Sequence, residues 1–284
     1  HLYLTKLRIL NKDKPFNNLS FLKDHQKILD MVSNIENVNT RKSYLTALVG
    51  ILDHVNNPTY NKINKFFKSN LNAFKSEVLN KIDQNQKTET QKANWIDWTS
   101  VIEKQKELAT LAAEVTQEEV DNNNQAQIEK LENFAILSLY TVLPPRRNVD
   151  FFLMKIGEMP DGAIQNNWYD GISFTFNVYK TARSRGAEKV AVPHVLRDIL
   201  DDYILKLKLK PNDYLLFPNM KNRSGSVKMT RTLNSIFGKN FSSSMLRHSW
   251  NTHILGDMLS MLKKNANDLG HSIGTDINYI KLDS

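Results

Sequence analysis

The chain contains no cysteine. That excludes disulfides, thiolate zinc sites and cysteine nucleophiles, and it fits a reducing compartment. No apolar run reaches the roughly eighteen residues of a membrane-spanning helix. No secretory leader is visible in the residues given, the first of which is His1 rather than Met. No internal repeat, glycine-rich phosphate loop or carboxylate cluster stands out. Asp201 and Asp202 fall on the exposed side of an expected helix and are assigned no metal. What remains is ordinary globular material: 284 residues, 40% hydrophobic and 24% charged, enough for a real core and for two domains.

Charge is the first uneven feature. The net charge is +8, and residues 1–92 hold 15 lysines and arginines against 8 acidic residues. A basic N-terminal part points to an anionic polymer as partner, although such lysines are also the ordinary wet face of a helix. Residues 1–15 read as a basic leading arm. In TRKSYLTALVGILDHV the apolar residues Tyr44, Leu45, Leu48, Leu52 and Val55 recur at helical steps, with Thr40 as N-cap and Asn56-Asn57-Pro58 as the stop. A second amphipathic helix carries Ile63, Phe66, Phe67, Leu71, Phe74, Val78 and Ile82 on one face. Polar residues 83–94 read as an interdomain linker.

The remainder reads as mainly α with a small antiparallel β-hairpin. QIEKLENFAILSLYTVL is a buried helix that Pro144-Pro145 must end. ISFTFNVY alternates, with Ile172, Phe174, Phe176 and Val178 on one face, and EKVAVPHV returns as its antiparallel partner after a turn at Ser184-Arg185-Gly186. VLRDILDDYILKLK is again helical, through Leu196, Ile199, Leu200, Tyr203 and Leu207, and YLLFPN is a short apolar strand or turn.

Four polar clusters could carry chemistry. In LPPRRNVDFFLM, Arg146 and Arg147 follow a rigid Pro-Pro at the start of a helix, where free N–H groups and the helix dipole favour anions. Asp150, one turn past Arg147, is positioned to pair with it. Lys180 sits near the tip of the hairpin. In SSSMLRHSWNTHIL, Arg247 and His248 lie on a helix whose core side is Leu246, Trp250 and Ile254, with the preceding serines as N-caps. His248 and His253 read singly as packed helix histidines. In DLGHSIGTDINYI, a helix end and a glycine turn precede His271, and Tyr279 falls on the short helix that follows. Each cluster alone has a plain structural explanation. Together, two arginines, a lysine, a histidine and a tyrosine are what phosphodiester transesterification needs. Arginines bridge the non-bridging oxygens, a proton donor eases departure of the 5′ oxygen, and a phenolate attacks phosphorus. That chemistry needs no metal and no cofactor.

The order arginine, lysine, LRH, LGH and tyrosine resembles the tyrosine recombinases of the phage-integrase superfamily. YTVLPPRRNVDFFLM is similar to their first-arginine box in the form seen in integrases of virophages and large DNA viruses, LRHSWNTHIL to the second box and LGHS with Tyr279 to the third. NTRKSYLTALVGIL resembles the preceding core-binding domain. The resemblance implies a helical core-binding, DNA-binding domain (16–88) followed by an α+β catalytic domain (93–284). It implies Arg147, Lys180, Arg247, His271 and the nucleophile Tyr279 as catalytic residues, with Arg147 preferred to Arg146 because Asp150 fits only that register. Arg146, Asp150 and His248 would support them, and Arg41, Lys42, Lys65 and Lys68 would contact DNA.

Two departures stand out. Ser244 occupies the position of a usual histidine, and a hydroxyl cannot shuttle protons near neutral pH. The spacing from His271 to Tyr279 is shorter by one than in common relatives. The five residues after Tyr279 are too few for the family's docking C-terminal segment, which implies a shortened end. The expected partner is double-stranded DNA, with a tetramer on two paired sites, no small-molecule cofactor and no membrane. The expected setting is intracellular, in a host nucleus or a viral factory. Two other functions fit the same residues: a topoisomerase-like nicking and resealing enzyme of type IB, and a DNA-binding protein with a decayed site, the latter motivated by Ser244.

Overall fold

The computed structural model describes residues 2–14, 18–82, 86–220 and 227–279, with the backbone alone for 79–82. The chain forms two compact units, His1–Thr88 and Glu89–Ser284, divided within the polar stretch 83–94.

The first unit is helical: α1 (Leu2–Leu10), a 3-10 turn (Ser20–Lys23), α2 (His25–Ser33), α3 (Val38–Leu52) and α4 (Pro58–Ile82). Its core joins Leu7 and Leu10 to Leu22, Ile28, Val32, Leu45, Leu48, Leu52, Ile63, Phe67 and Leu71. The basic leading arm of the sequence reading is therefore a packed helix over Leu2–Leu10. Leu7 and Leu10 give it an apolar side, while its basic residues Lys6 and Arg8 turn to Ser43 and Asp13. Helix α3 begins earlier than expected. Asn37 rather than Thr40 is its N-cap, and the Asn37 side chain accepts the Thr40 N–H at 3.0 Å. Pro58 starts α4, where its missing N–H costs nothing. Phe66 and Phe74 are half-buried on the expected face, and the Ile82 side chain lies outside the described residues.

The second unit contains α5 (Glu89–Asn94), α6 (Trp98–Ala113), α7 (Gln117–Asp121), α8 (Gln125–Thr141), α9 (Asn148–Phe152), β1 (Met154–Ile156), β2 (Asn167–Tyr169), β3 (Ser173–Phe176), α10 (Ala182–Arg185), β4 (Glu188–Ala191), α11 (His194–Lys206), α12 (Val227–Phe237), α13 (Ser243–Asp268) and α14 (Ile273–Tyr279). Part of the expected linker is thus the helix α5. Helix α8 is buried as expected and ends at Thr141, ahead of Pro144-Pro145. The expected hairpin is present, with Phe174 opposite Val190 and Phe176 opposite Glu188. Its connection is longer than a simple turn and carries α10. Ile172 and Val178 lie outside β3, and Ile172 is exposed.

The sheet is larger than a hairpin. Four strands run in the order β1-β2-β3-β4, and β1 pairs with β2 in parallel, so the sheet is mixed rather than purely antiparallel. Strands of three residues, MKI and NWY, are too short to show alternation, which is why sequence patterning passes over them. Phe151, Phe174 and Phe176 stack edge-to-face under α8, and Tyr140 joins them. This apolar block fixes the short helix α9, and with it the two arginines at its entrance. No helix among the described residues is long and apolar enough to cross a membrane.

Candidate active site

The arginine box is held by a buried polar frame. Asn148, at the first turn of α9, accepts the Tyr140 hydroxyl at 2.7 Å and donates to Thr230 Oγ1 at 2.9 Å, so one amide ties α8, α9 and α12 together. Asn167 on β2 is fully buried. Its Nδ2 donates to the carbonyls of Asp150 and Val178 at 2.7 and 3.0 Å, and its Oδ1 accepts the N–H groups of Asn177 and Val178. The segment leading to Lys180 is thereby fastened to the back of the arginine box.

Within this frame the two adjacent arginines have separate roles. Arg146, not Arg147, pairs with Asp150: its Nε donates to Asp150 Oδ2 at 3.0 Å and its Nη2 to Glu188 Oε2 at 2.9 Å. Its guanidinium also lies 3.9 Å from the centre of the Phe176 ring. The expected Asp150–Arg147 pair is therefore corrected. In α9 the residue four positions back makes the ion pair with the carboxylate, whereas Arg147, the N-cap, acts on it through its backbone N–H and its charge. Burial pushes the Asp150 carboxyl above the ordinary aspartate range, with Arg146 pulling it back. Burial also works against the Arg146 charge, but Glu188 and Asp150 together raise its pKa. Burial thus wins at the carboxyl, and the second carboxylate tips the balance at the guanidinium.

Arg147 is left for something else. Among the described residues its half-buried guanidinium has no hydrogen bond and no ion pair. Arg247, in the first turns of α13, donates from Nε to the Ser243 carbonyl at 3.2 Å. Burial lowers the Arg247 pKa, and the like charge of Arg147 nearby lowers it further, while Asp150 and Tyr140 oppose the shift. The two guanidinium charges thus act on each other, and the carboxylate whose charge acts on both, Asp150, is bonded to Arg146. Such a pair favours an anion that accepts from both.

The other expected residues fall differently. Lys180 is exposed on the β3–β4 connection, with no partner among the described residues. Ser244 is exposed one turn before Arg247. Ser242 is the N-cap of α13, but no serine side chain caps the helix. His248 and His253 are exposed, which corrects the packed reading of both, and Ile254 is 51% exposed, which removes it from the core side. In the first unit, Lys68 is engaged with Asp53 at 2.6 Å, and Arg41 lies over Phe74 with its Nη2 on the Glu36 carbonyl. Lys42 and Lys65 have no partner among the described residues.

No protein-family model, curated protein or solved structure matches this chain.

The third box forms its own cluster at the far end of α13. Gly270 adopts φ +73°, a left-handed conformation that suits glycine, and closes the helix with the His271 N–H on the Ala266 carbonyl. Helix α14 then turns back. Asn265 donates to both oxygens of the buried Asp276 at 2.9 and 3.0 Å, and His271 Nε2 lies 3.9 Å from Asp276 Oδ1. The His271 and Tyr279 rings are 5.6 Å apart, and they line an open cleft with Leu262, Asn265 and Leu269. Tyr279 is 70% exposed.

These two clusters do not meet within one chain. Helix α13 runs unbroken from Ser243 to Asp268. Leu262, beside Tyr279 in the cleft, is therefore about 22 Å along the axis from Arg247, at about 1.5 Å per residue. Sequence reading missed Asn148, Asn167, Glu188, Asn265 and Asp276, which hold the candidate residues in place. Asp276 alone carried a signal, since it shares a helical face with Tyr279, three residues on.

Proposed function

We propose that this chain is a DNA strand-transfer enzyme of the tyrosine-recombinase kind, acting through a 3′-phosphotyrosyl intermediate. The observation that carries the reading is the pair Arg147 and Arg247, two partly buried guanidinium groups whose charges act on each other and neither of which has an ion pair among the described residues. A scissile phosphate would accept from both as negative charge grows in its pentacoordinate transition state. The Tyr279 phenolate would attack the phosphorus, and the P–O5′ bond would break. Lys180 would protonate the leaving 5′ oxygen, and His271 beside Tyr279 would contact the phosphate. A 5′-hydroxyl of a partner strand would reverse the step. Double-stranded DNA would be held largely through its phosphates, with Arg41, Lys42 and Lys65 as candidate contacts, so binding would weaken steeply with salt. Four copies on two paired sites would complete an exchange in the integration or excision of a viral or mobile genome. A type IB nicking and resealing enzyme shares the first step and differs in acting as a monomer.

The separation of Tyr279 from the arginines along α13 favours a second reading, a DNA-binding protein that does not cut. One experiment separates the two. The protein is incubated with a nicked duplex, run on a denaturing gel, and the modified residue is mapped. The enzyme reading expects a covalent adduct on Tyr279 that Tyr279→Phe abolishes while gel shifts persist. An adduct undiminished in Tyr279→Phe removes that residue from its role. Gel shifts without any adduct favour the non-cutting protein.

A further inference from the structure

Lys180 lies on the connection between β3 and β4, beyond the last rung of the hairpin, where Phe176 faces Glu188. An exposed connection of this kind is free to carry a lysine to many places. Here both of its ends are tied to one residue of the arginine box, Asp150. At the β3 end, Asn167 Nδ2 donates to the Val178 carbonyl and to the Asp150 carbonyl. At the β4 end, Arg146 donates from Nη2 to Glu188 Oε2 and from Nε to Asp150 Oδ2. The same guanidinium lies over Phe176 and 5.8 Å from the ring centre of Tyr179, the residue before Lys180. The Tyr179 hydroxyl in turn donates to the Gly186 carbonyl at 2.8 Å, which closes the connection on itself. The Asp150 N–H donates to the Arg147 carbonyl at 3.0 Å, so the anchor of the lysine segment is a direct neighbour of the first phosphate arginine.

We propose that the Arg146–Glu188 pair is a clasp that sets Lys180 in place relative to Arg147, which makes Glu188 a positioning residue for the protonation of the leaving 5′ oxygen. The inference rests on the strand-transfer reading above, in which Lys180 is the proton donor. Neither partner of the clasp has to touch DNA. Arg146 is engaged by two carboxylates, and the Glu188 carboxylate repels a phosphate. The two partners differ in what else they hold. Arg146 also neutralises the buried Asp150, so its loss disturbs the fold. The Glu188 side chain is 44% exposed and bonds only to Arg146 among the described residues. Removing it opens the β4 end of the connection and leaves the Arg146–Asp150 pair in place. Proton transfer is sensitive to such a change, because a general acid acts at about 2.6–3.2 Å from its oxygen and a shift of about 1 Å costs up to about a hundredfold.

The test compares two nicked duplexes, one with the natural 5′ oxygen at the scissile phosphate and one with sulfur in its place. The sulfur leaves as a thiolate and needs no proton, since a thiol is far more acidic than an alcohol. Lys180→Ala is expected to lose at least about a hundredfold in adduct formation on the oxygen duplex and to regain most of it on the sulfur duplex. Glu188→Ala is expected to lose about tenfold on oxygen and nothing on sulfur, with Glu188→Asp recovering part of the loss. A Glu188→Ala protein equally slow on both duplexes has a merely structural defect and overturns the proposal, as does one that matches wild type on oxygen. A Lys180→Ala defect that sulfur does not restore removes Lys180 as the donor, and the proposal with it. Rapid-quench hydrogen exchange reads the clasp apart from chemistry. The N–H groups of Ala182, Ser184, Arg185 and Gly186, which are bonded within the connection, are expected to exchange faster in Glu188→Ala while those of α8 do not. If the wild type cleaves neither duplex, the strand-transfer reading fails. Faster exchange in Glu188→Ala then keeps the clasp as the support of the Lys180 segment, and unchanged exchange overturns it as well.

Discussion

The two halves of α13 belong to one helix and have different surroundings. In the proximal half, Met245, Leu246 and Ser249 are buried, the Ser249 hydroxyl donates to the Ile96 carbonyl at 2.8 Å, and Arg247 joins Arg147. In the distal half, Ile254, Leu255, Met258 and Met261 have comparable hydrophobicity and are not buried by any of the described residues of their unit. Hydrophobic content alone therefore did not decide burial. The proximal half is inside because α6 and the Ile96 carbonyl just before it are there to receive it. The same distinction separates the adjacent arginines 146 and 147. One is ion-paired with two carboxylates, and the other with none among the described residues.

The sharpest break in this comparison is in stability. Leu246→Ala, at a fully buried site, is expected to cost about 3 kcal/mol, and Met261→Ala less than about 0.5 kcal/mol in the monomer. Urea unfolding of both variants measures the contrast, and equal costs would mean that the distal stripe is buried in solution. Next comes the arginine pair. Arg146→Ala strands the buried Asp150 carboxylate and is expected to cost about 3 kcal/mol. Arg147→Ala and Arg247→Ala leave stability unchanged or slightly improved, since each removes one of two like charges. Each nevertheless slows cleavage at least about a hundredfold, or about 2.7 kcal/mol of transition-state stabilisation. A destabilised Arg147→Ala protein would show that Arg147 has a structural partner.

The smallest effect is an acid one, confined to the body that anchors the proximal half. Asp170 is partly buried, which pushes its carboxyl up. The Ser173 hydroxyl and the N–H groups of Ile172 and Ser173 overcome this and hold its pKa at about 2. A depressed acid stabilises the fold above its unfolded value and loses that contribution as pH falls through the folded one. Asp170 should therefore contribute about 2 kcal/mol at neutral pH, lost between about pH 4 and pH 2. Asp170→Asn should be less stable at pH 7 and converge with wild type near pH 2 in thermal melts.

Much of the helical pattern was legible. The apolar spacing in α3, α4, α8 and α11 needed only the helical period, and Gly270 marked the turn before His271. The strands β1 and β2 were not legible, because three residues carry no period. The pairing of Asp150 was misassigned because i+3 and i+4 are equally plausible neighbours on a helix, and only the position of the N-cap chooses between them. Asn148 and Asn167 look like any other asparagines in the sequence, although each ties together separate segments.

By itself the sequence determined the residue types suited to a phosphate, the helices that carry them and the polar break between two units, since these depend on local spacing and side-chain chemistry. Only the tertiary structure decided which arginine is locked and which is free, and that α13 continues unbroken past Gly256 instead of turning back. Those outcomes depend on which surfaces lie within a few ångströms of each other, and no local pattern encodes that distance.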